Sequence, residues 1–161
     1  MKDVTLCILR QPGEVLLALK KRGFGAGRWN GVGGKLMPGE TIEQAAIREA
    51  EEEIGVKIKS ENLEKIAKLS FLFPTHQPEE GWDQMVHIYF VTDWVGEPSE
   101  SEEMQPQWFK HEEIPFAEMW PDDTLWLPRT LAGEKLEGEF HFADDGTTFL
   151  KYDLRAVDTI H

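Results

Sequence analysis

The run Arg48-Glu49-Ala50-Glu51-Glu52-Glu53-Ile54-Gly55 sets several carboxylates at helical spacing. On a helix Glu49 neighbours Glu52 at i+3 and Glu53 at i+4, so three carboxylates converge on one face. Like charges at that spacing destabilise a helix by roughly 0.2–0.5 kcal/mol per pair. A hard divalent cation reverses the penalty, because Mg²⁺ takes oxygen ligands and keeps water and substrate phosphates in its shell. Arg48 stands one turn before Glu52 and is placed to hold a carboxylate through paired hydrogen bonds. This set suits metal-assisted chemistry on a phosphate ligand. A solvated amphipathic face has the same pattern, and the carboxylates alone do not separate the two.

The elements that must position them are legible in outline. Thr41 is a good N-cap and Gln44 stands three residues on, which predicts a capping box. Ile42, Ala46, Ala50 and Ile54 then form one apolar stripe, and Gly55 is placed to stop the helix. Before it, six glycines between Gly23 and Gly34 are interrupted by Phe24, Arg28, Trp29 and Asn30. That mixture predicts a loop whose backbone comes close to something else. Residues 4–9 and 15–19 read as paired strands around Gln11-Pro12-Gly13-Glu14. Residues 63–73 and 85–95 read as strands, the latter alternating His87, Tyr89 and Val91 against Val86, Ile88 and Phe90. Trp108-Phe109 fits a short strand, 122–131 a second helix containing Pro128, and 136–154 a final hairpin around Asp144-Asp145-Gly146. One mixed α/β domain of 161 residues is the expectation.

Composition narrows the partners. Thirty acidic against 17 basic side chains give a formal charge of −13. Such a surface repels a nucleic-acid polymer, while a phosphate ligand can still bind through a metal ion or a local basic patch. Cys7 is the single cysteine. It excludes an internal disulfide and suits a reducing compartment, so a cytoplasmic protein is expected. No secretory signal and no membrane-spanning run of about 20 apolar residues is read.

Gly34, Glu40, Arg48, Glu49, Glu52, Glu53, Gly55 and Val56 match the pattern Gly-x5-Glu-x7-Arg-Glu-U-x-Glu-Glu-x-Gly-U, where U is a bulky aliphatic residue. Only Ala50, at the first U, departs from it. The chain therefore resembles the Nudix hydrolases. The resemblance implies an α/β/α sandwich with a mixed β-sheet, in which the pattern is a loop–helix–loop holding Mg²⁺ or Mn²⁺. It also implies water attack on a phosphorus of a nucleoside diphosphate linked to another group. Gly34, Glu49, Glu52, Glu53 and Glu103 would be metal ligands and Arg48 their orienter. Glu53 is favoured as general base, with Glu103 as the alternative.

The likeness extends to Lys20-Lys21-Arg22-Gly23-Phe24-Gly25-Ala26-Gly27-Arg28-Trp29-Asn30-Gly31 and Met119-Trp120-Pro121-Asp122-Asp123. These resemble the branch of the family that converts oxidised purine nucleoside triphosphates to the monophosphate and pyrophosphate. By that likeness Trp120 and Phe24 flank the base, Phe71 and Phe73 line the pocket, and Asn30 reads one base edge. Asp122 and Asp123 read the other edge, Lys20 and Thr5 add contacts, and the protein acts as a monomer on a small-molecule nucleotide. Stacking yields roughly 1–3 kcal/mol per base without discriminating, so specificity falls to the polar groups. Two adjacent carboxylates raise each other's pKa and can share a proton, which would let one pocket accept both 8-oxo-dGTP and 2-hydroxy-dATP. Other readings stay open: Asp122 as a helix N-cap, Phe71 and Phe73 as core, Lys20 as an exposed strand lysine. A different nucleotide substrate or a non-catalytic nucleotide sensor is also compatible with the fold. Residues 74–84 depart from the likeness as a longer loop carrying His76, Glu79, Glu80 and Trp82, placed to alter base preference.

Overall fold

The turn at Gln11-Pro12-Gly13-Glu14 joins β1 (Lys2–Gln11) to β2 (Glu14–Lys20), but the two strands part almost at once. They pair only at Arg10↔Val15 and Gln11↔Glu14 in the computed structural model, which describes residues 1–73, 82–145 and 147–161. Beyond that turn β1 runs parallel to β5 (Gln84–Val91) along eight register positions. β2 instead takes β6 (Met104–Lys110) antiparallel, and the two-residue β3 (Trp29–Asn30) on its other side. β5 pairs antiparallel with β4 (Leu63–Leu72) and β4 parallel with β7 (Lys135–Phe142). The antiparallel β8 (Phe149–Val157) closes that edge as the second arm of the expected hairpin. The order β3-β2-β1-β5-β4-β7-β8 makes a mixed sheet.

The period-2 alternation in β5 marks two faces that are both covered, because this strand is central. Ile88 and Phe90 join one core with Trp126 and Leu127 of α2 (Asp123–Leu131). Tyr89 and Val91 join a second core with Ala46, Ala50 and Ile54 of α1 (Ile42–Ile54). One helix therefore lies on each face of the sheet, the expected α/β/α layering. Strand β5 ends at Val91 rather than continuing to residue 95. Pro128 sits inside α2 without ending it, and the helix continues to Leu131.

Helix α1 is fixed at both ends. Thr41 Oγ1 accepts from the Gln44 N–H at 3.1 Å, and Gln44 Oε1 accepts from the Thr41 N–H at 2.9 Å. Such a cap stabilises a helix by about 1 kcal/mol. Gly55 takes φ 73°, a left-handed conformation that ends the helix. The small stripe Ala45, Ala46 and Ala50 is fully buried, so α1 lies close enough for Cys7 Sγ to reach the Ala46 carbonyl at 4.0 Å. The short side chain of Ala50 thus serves the approach of helix to sheet.

The glycine-rich segment does what its composition predicts. Val32 and Lys35 bridge back to Cys7 and Val4, so residues 31–35 lie along β1 as an irregular extra strand. A Cβ on Gly33 would stand 1.8 Å from the Thr5 carbonyl oxygen, and one on Gly31 would stand 2.7 Å from that of Cys7. Only glycine permits this approach. Gly33→Ala is therefore expected to cost about 3 kcal/mol or more, since backbone must move. Gly39→Ala meets nothing within 4 Å and should cost only the left-handed strain of about 1–2 kcal/mol. Denaturant titration of the two variants would test this, and equal losses would contradict it.

Candidate active site

The end of α1 and the glycine segment meet at Glu53, which is 6% exposed. The Gly33 N–H donates to Glu53 Oε1 at 2.8 Å. Burial pushes the Glu53 carboxyl up to about 8; the Gly33 hydrogen bond opposes this, and the charges of Glu49 and Glu103 add to it. Glu49 is also within hydrogen-bonding reach of Glu53. These three carboxylates therefore share one electrostatic site, although Glu103 comes from the segment just before β6. Glu103 is half-exposed and pairs with Arg22 at 3.4 Å.

Arg48 organises the rest. Its Nε and Nη2 donate to the two oxygens of Glu40 at 2.6 and 3.0 Å, a bidentate pair. Nη1 donates to Glu49 at 3.0 Å and Glu52 at 3.2 Å, and Nη2 also donates to the Lys35 carbonyl at 3.1 Å. The guanidinium holds the Glu40 carboxyl below the usual carboxylate range. The expected convergence of Glu49, Glu52 and Glu53 on one point is therefore modified. Glu52 turns outward with its side chain 56% exposed. Among the described residues no three acidic or imidazole side chains stand ready to hold an ion. Arg48 supplies the counter-charge that keeps like-charged neighbours tolerable.

A cavity of about 530 Å³ opens on the other side of the glycine segment, and Gly33 and Gly34 border it. At its inner end lie Asp122 and Asp123, each 2% exposed. The Trp126 Nε1–H donates to Asp122 Oδ2 at 2.9 Å, whereas Asp122 Oδ1 and Asp123 Oδ2 have no hydrogen-bond partner. Burial pushes both carboxyls up, Asp123 further because the Asp122 charge adds to the desolvation. Asp122 occupies the N-cap position of α2, as the alternative reading had it, but its side chain makes no capping bond. Its carboxylate is turned inward to Trp126 instead. Buried oxygens without partners cost about 1–3 kcal/mol each, which a proton held between the two carboxyls or a bound polar group relieves.

Asn30, Lys20, Phe71 and Phe73 all border the same cavity. Phe71 and Phe73 also pack against the core, so the two readings of these residues coexist. Thr5 borders the cavity as well, but its hydroxyl is engaged with the Gly34 backbone at 3.4 Å. Phe24 and Trp120 are brought together but do not flank an open slot. Their ring centroids are 5.4 Å apart with planes at 33°. A base between two rings needs about 7 Å, two van der Waals layers. Close contact arises because Gly25, at φ 85°, lets the loop press on the indole. Arg28 also lies over the Trp120 ring at 4.1 Å.

Several cavity residues carried no signal in the sequence. Gln84 and Phe142 reach it from β5 and β7, and Lys2 and Lys35 stand at its border. Arg28 lay inside a recognisable segment, but nothing in the spacing showed its contact with Trp120. His76, Glu79 and Glu80 lie outside the described residues; Trp82 is described and lines the cavity.

The Glu53 environment makes metal-free stability depend on pH. Its folded pKa of about 8 exceeds the ordinary glutamate value of 4.5, so the folded state holds the proton more tightly. That contribution is complete below about pH 4.5 and is lost as pH rises through 8. Thermal melts of chelator-treated protein should show this loss, and Glu53→Gln should remove it. A variant with the same pH profile as the parent would contradict the assignment.

Comparison with known proteins agrees with this geometry. A NUDIX domain match covers residues 1–130. The chain is 50% identical over 155 residues to the oxidized purine nucleoside triphosphate hydrolase of Mus musculus, covering 96% of this chain and 95% of that protein. It is 50% identical over 141 residues to the Danio rerio protein of the same name, covering 88% and 86%. A MutT protein crystal structure from Bacillus halodurans superposes with a TM-score of 0.79 at 30% identity, covering 96% of this chain and 97% of that one. With the arginine-centred carboxylate helix, the glycine segment beside it and these matches over nearly the whole length, the chain belongs to the Nudix hydrolase family.

Proposed function

We propose that this chain hydrolyses oxidised purine nucleoside triphosphates, of the 8-oxo-dGTP and 2-hydroxy-dATP type, to the monophosphate and pyrophosphate. The carrying observation is the buried Asp122–Asp123 pair with unpartnered oxygens, facing an aromatic cavity that adjoins the Glu49–Glu53 site. The names of the mouse and zebrafish relatives support the same reading. The substrate is the free nucleotide, since a chain of charge −13 is repelled by a nucleic-acid polymer.

A divalent cation, Mg²⁺ with Mn²⁺ as a substitute, fits the carboxylate end. The donors are all oxygens, and Glu49, Glu53 and Glu103 already press on one another electrostatically. Glu49, Glu53, Glu103 and the Gly34 carbonyl would hold it, with Glu52 turning in from its exposed position beside Arg48. When bound, the ion supplies charge neutralisation at the phosphates and lowers the pKa of water. Glu53, steadied by the Gly33 N–H, accepts the proton from the attacking water. Arg48 keeps Glu49 and Glu52 in position from one turn away. The α–β anhydride bond breaks and pyrophosphate leaves.

At the other end Asn30 contacts one edge of the base and the Asp pair the other. Desolvation favours one shared proton on the pair, so it presents either a donor or an acceptor to the base. That freedom accommodates two oxidised purines whose edges differ. We also read the protein as a monomer, and place it in the cytoplasm because its single cysteine is a buried free thiol.

Three outcomes test the proposal. Chelation should abolish pyrophosphate release from 8-oxo-dGTP, and Mg²⁺ should restore it. Glu53→Gln should lower kcat by about 10²–10⁴ while nucleotide affinity stays within a few-fold; equal loss of both would indicate a structural role. Asp122→Asn and Asp123→Asn should each change the ratio of kcat/KM for 8-oxo-dGTP over 2-hydroxy-dATP by about tenfold. Unchanged activity on both substrates would rule out the shared-proton reading.

A further inference from the structure

Phe24 and Trp120 lie in mutual contact, so aromatic enclosure of a ligand in this cavity has to come from elsewhere as well. The cavity's other aromatic wall begins at Phe73. Its ring stacks on Phe142 with centroids 4.9 Å apart and planes at 16°. Trp82 meets Phe73 edge-on at 5.5 Å and 73°, and both border the cavity. Trp82 remains 38% exposed, unusual for so large an apolar ring. The neighbouring Asp83 anchors it. Asp83 Oδ1 accepts from the Phe73 N–H at 2.8 Å, and the Asp83 carbonyl accepts from the Lys2 N–H at 3.1 Å. The indole is thereby tied to the ends of β4 and β1, while Asp122 and Asp123 mark the polar end of the same cavity.

We infer that Trp82 is a specificity-determining residue that supplies an aromatic wall for the base, opposed to the polar end formed by the Asp pair. The inference rests on the purine nucleotide reading given above. A planar purine with one edge on Asp122 and Asp123 covers apolar cavity wall with its rings and removes Trp82 surface from water. A pyrimidine is shorter and covers less of it. Trp82 touches the base and not the reacting phosphorus, so it governs affinity and base choice rather than the chemical step.

Steady-state kinetics of Trp82→Ala and Trp82→Phe test this. For 8-oxo-dGTP, Trp82→Ala should raise KM about tenfold with kcat within twofold, and Trp82→Phe should stay within about threefold of wild type. The Trp82→Ala penalty should be smaller for a pyrimidine triphosphate. Unchanged KM in Trp82→Ala overturns the inference, as does a fall in kcat at constant KM. Thermal melts of both variants guard against misfolding, and calorimetric titration with 8-oxo-dGMP gives a second affinity that does not require turnover. If wild type fails to hydrolyse 8-oxo-dGTP, the substrate reading falls. The Trp82 comparison then runs on whichever purine nucleotide wild type binds best, where equal affinities overturn the Trp82 inference alone.

Discussion

The backbone of Gly33 is pressed between two partners, and the rest of the site depends on that contact. On one side the Thr5 carbonyl lies so close that a Cβ would stand 1.8 Å from it. On the other side the Gly33 N–H reaches the Glu53 carboxylate at 2.8 Å. The segment 31–35 is consequently a thin septum. The carboxylate end of α1 faces one side and the aromatic cavity opens on the other. Any side chain at Gly33 would separate β1 from the septum and move Glu53 relative to the cavity.

Two clusters of acid groups coexist in this chain, and the fold manages them by different physics. Glu40, Glu49 and Glu52 are partly exposed, and one guanidinium pairs with all three, leaving a net negative cluster. The charge-assisted pair with Arg48 holds the Glu40 carboxyl below the usual carboxylate range. Asp122 and Asp123 are governed by burial instead: desolvation raises both carboxyls, and the Asp122 charge raises Asp123 further. Glu53 lies between the two regimes, buried yet held by a single N–H. Arginine pairing thus governs the exposed cluster, whereas desolvation governs the buried pair.

The sheet separates these tasks because β5 is central and buried on both faces. The core containing Ala46, Ala50 and Ile54 seats α1 and hence the carboxylates. The opposite core seats α2, whose first turn carries Asp123 and whose Trp126 holds Asp122. Phe71, Phe73 and Phe142 reach the cavity from the ends of β4 and β7 while still packing on that core. Strands and helix ends thereby supply part of the lining, and the glycine segment, Phe73, Trp82, Trp120 and the loop bearing Phe24 and Arg28 supply the rest. That loop turns on Gly23, Gly25 and Gly27, all at positive φ, so its shape is set by glycine backbone rather than by packing.

How much of this was legible beforehand follows from the range of the forces involved. Helix α1, its capping box and its glycine stop depend on contacts within a few residues, so Thr41, Gln44 and Gly55 were readable directly. The Arg48–Glu52 contact was readable for the same reason, but the bidentate pair of Arg48 went to Glu40, eight residues back, and the glycine run announced a close approach without saying to what. The family pattern, fixed in spacing along one helix and its approach loop, carried the α/β/α layering and the hydrolase class. Tertiary structure alone decided the rest. The Asp122 carboxylate turned out to be a buried partner of Trp126 rather than a capping group, because burial outweighs local capping. Phe24 and Trp120 met each other instead of standing apart, and Arg28 lay over the indole. Glu103 joined Glu53, and Trp82, Gln84 and Phe142 joined the cavity, across separations in the chain that no local pattern encodes. Spacing determined which residues could do chemistry, whereas desolvation and the thickness of one glycine strand determined which of them act together.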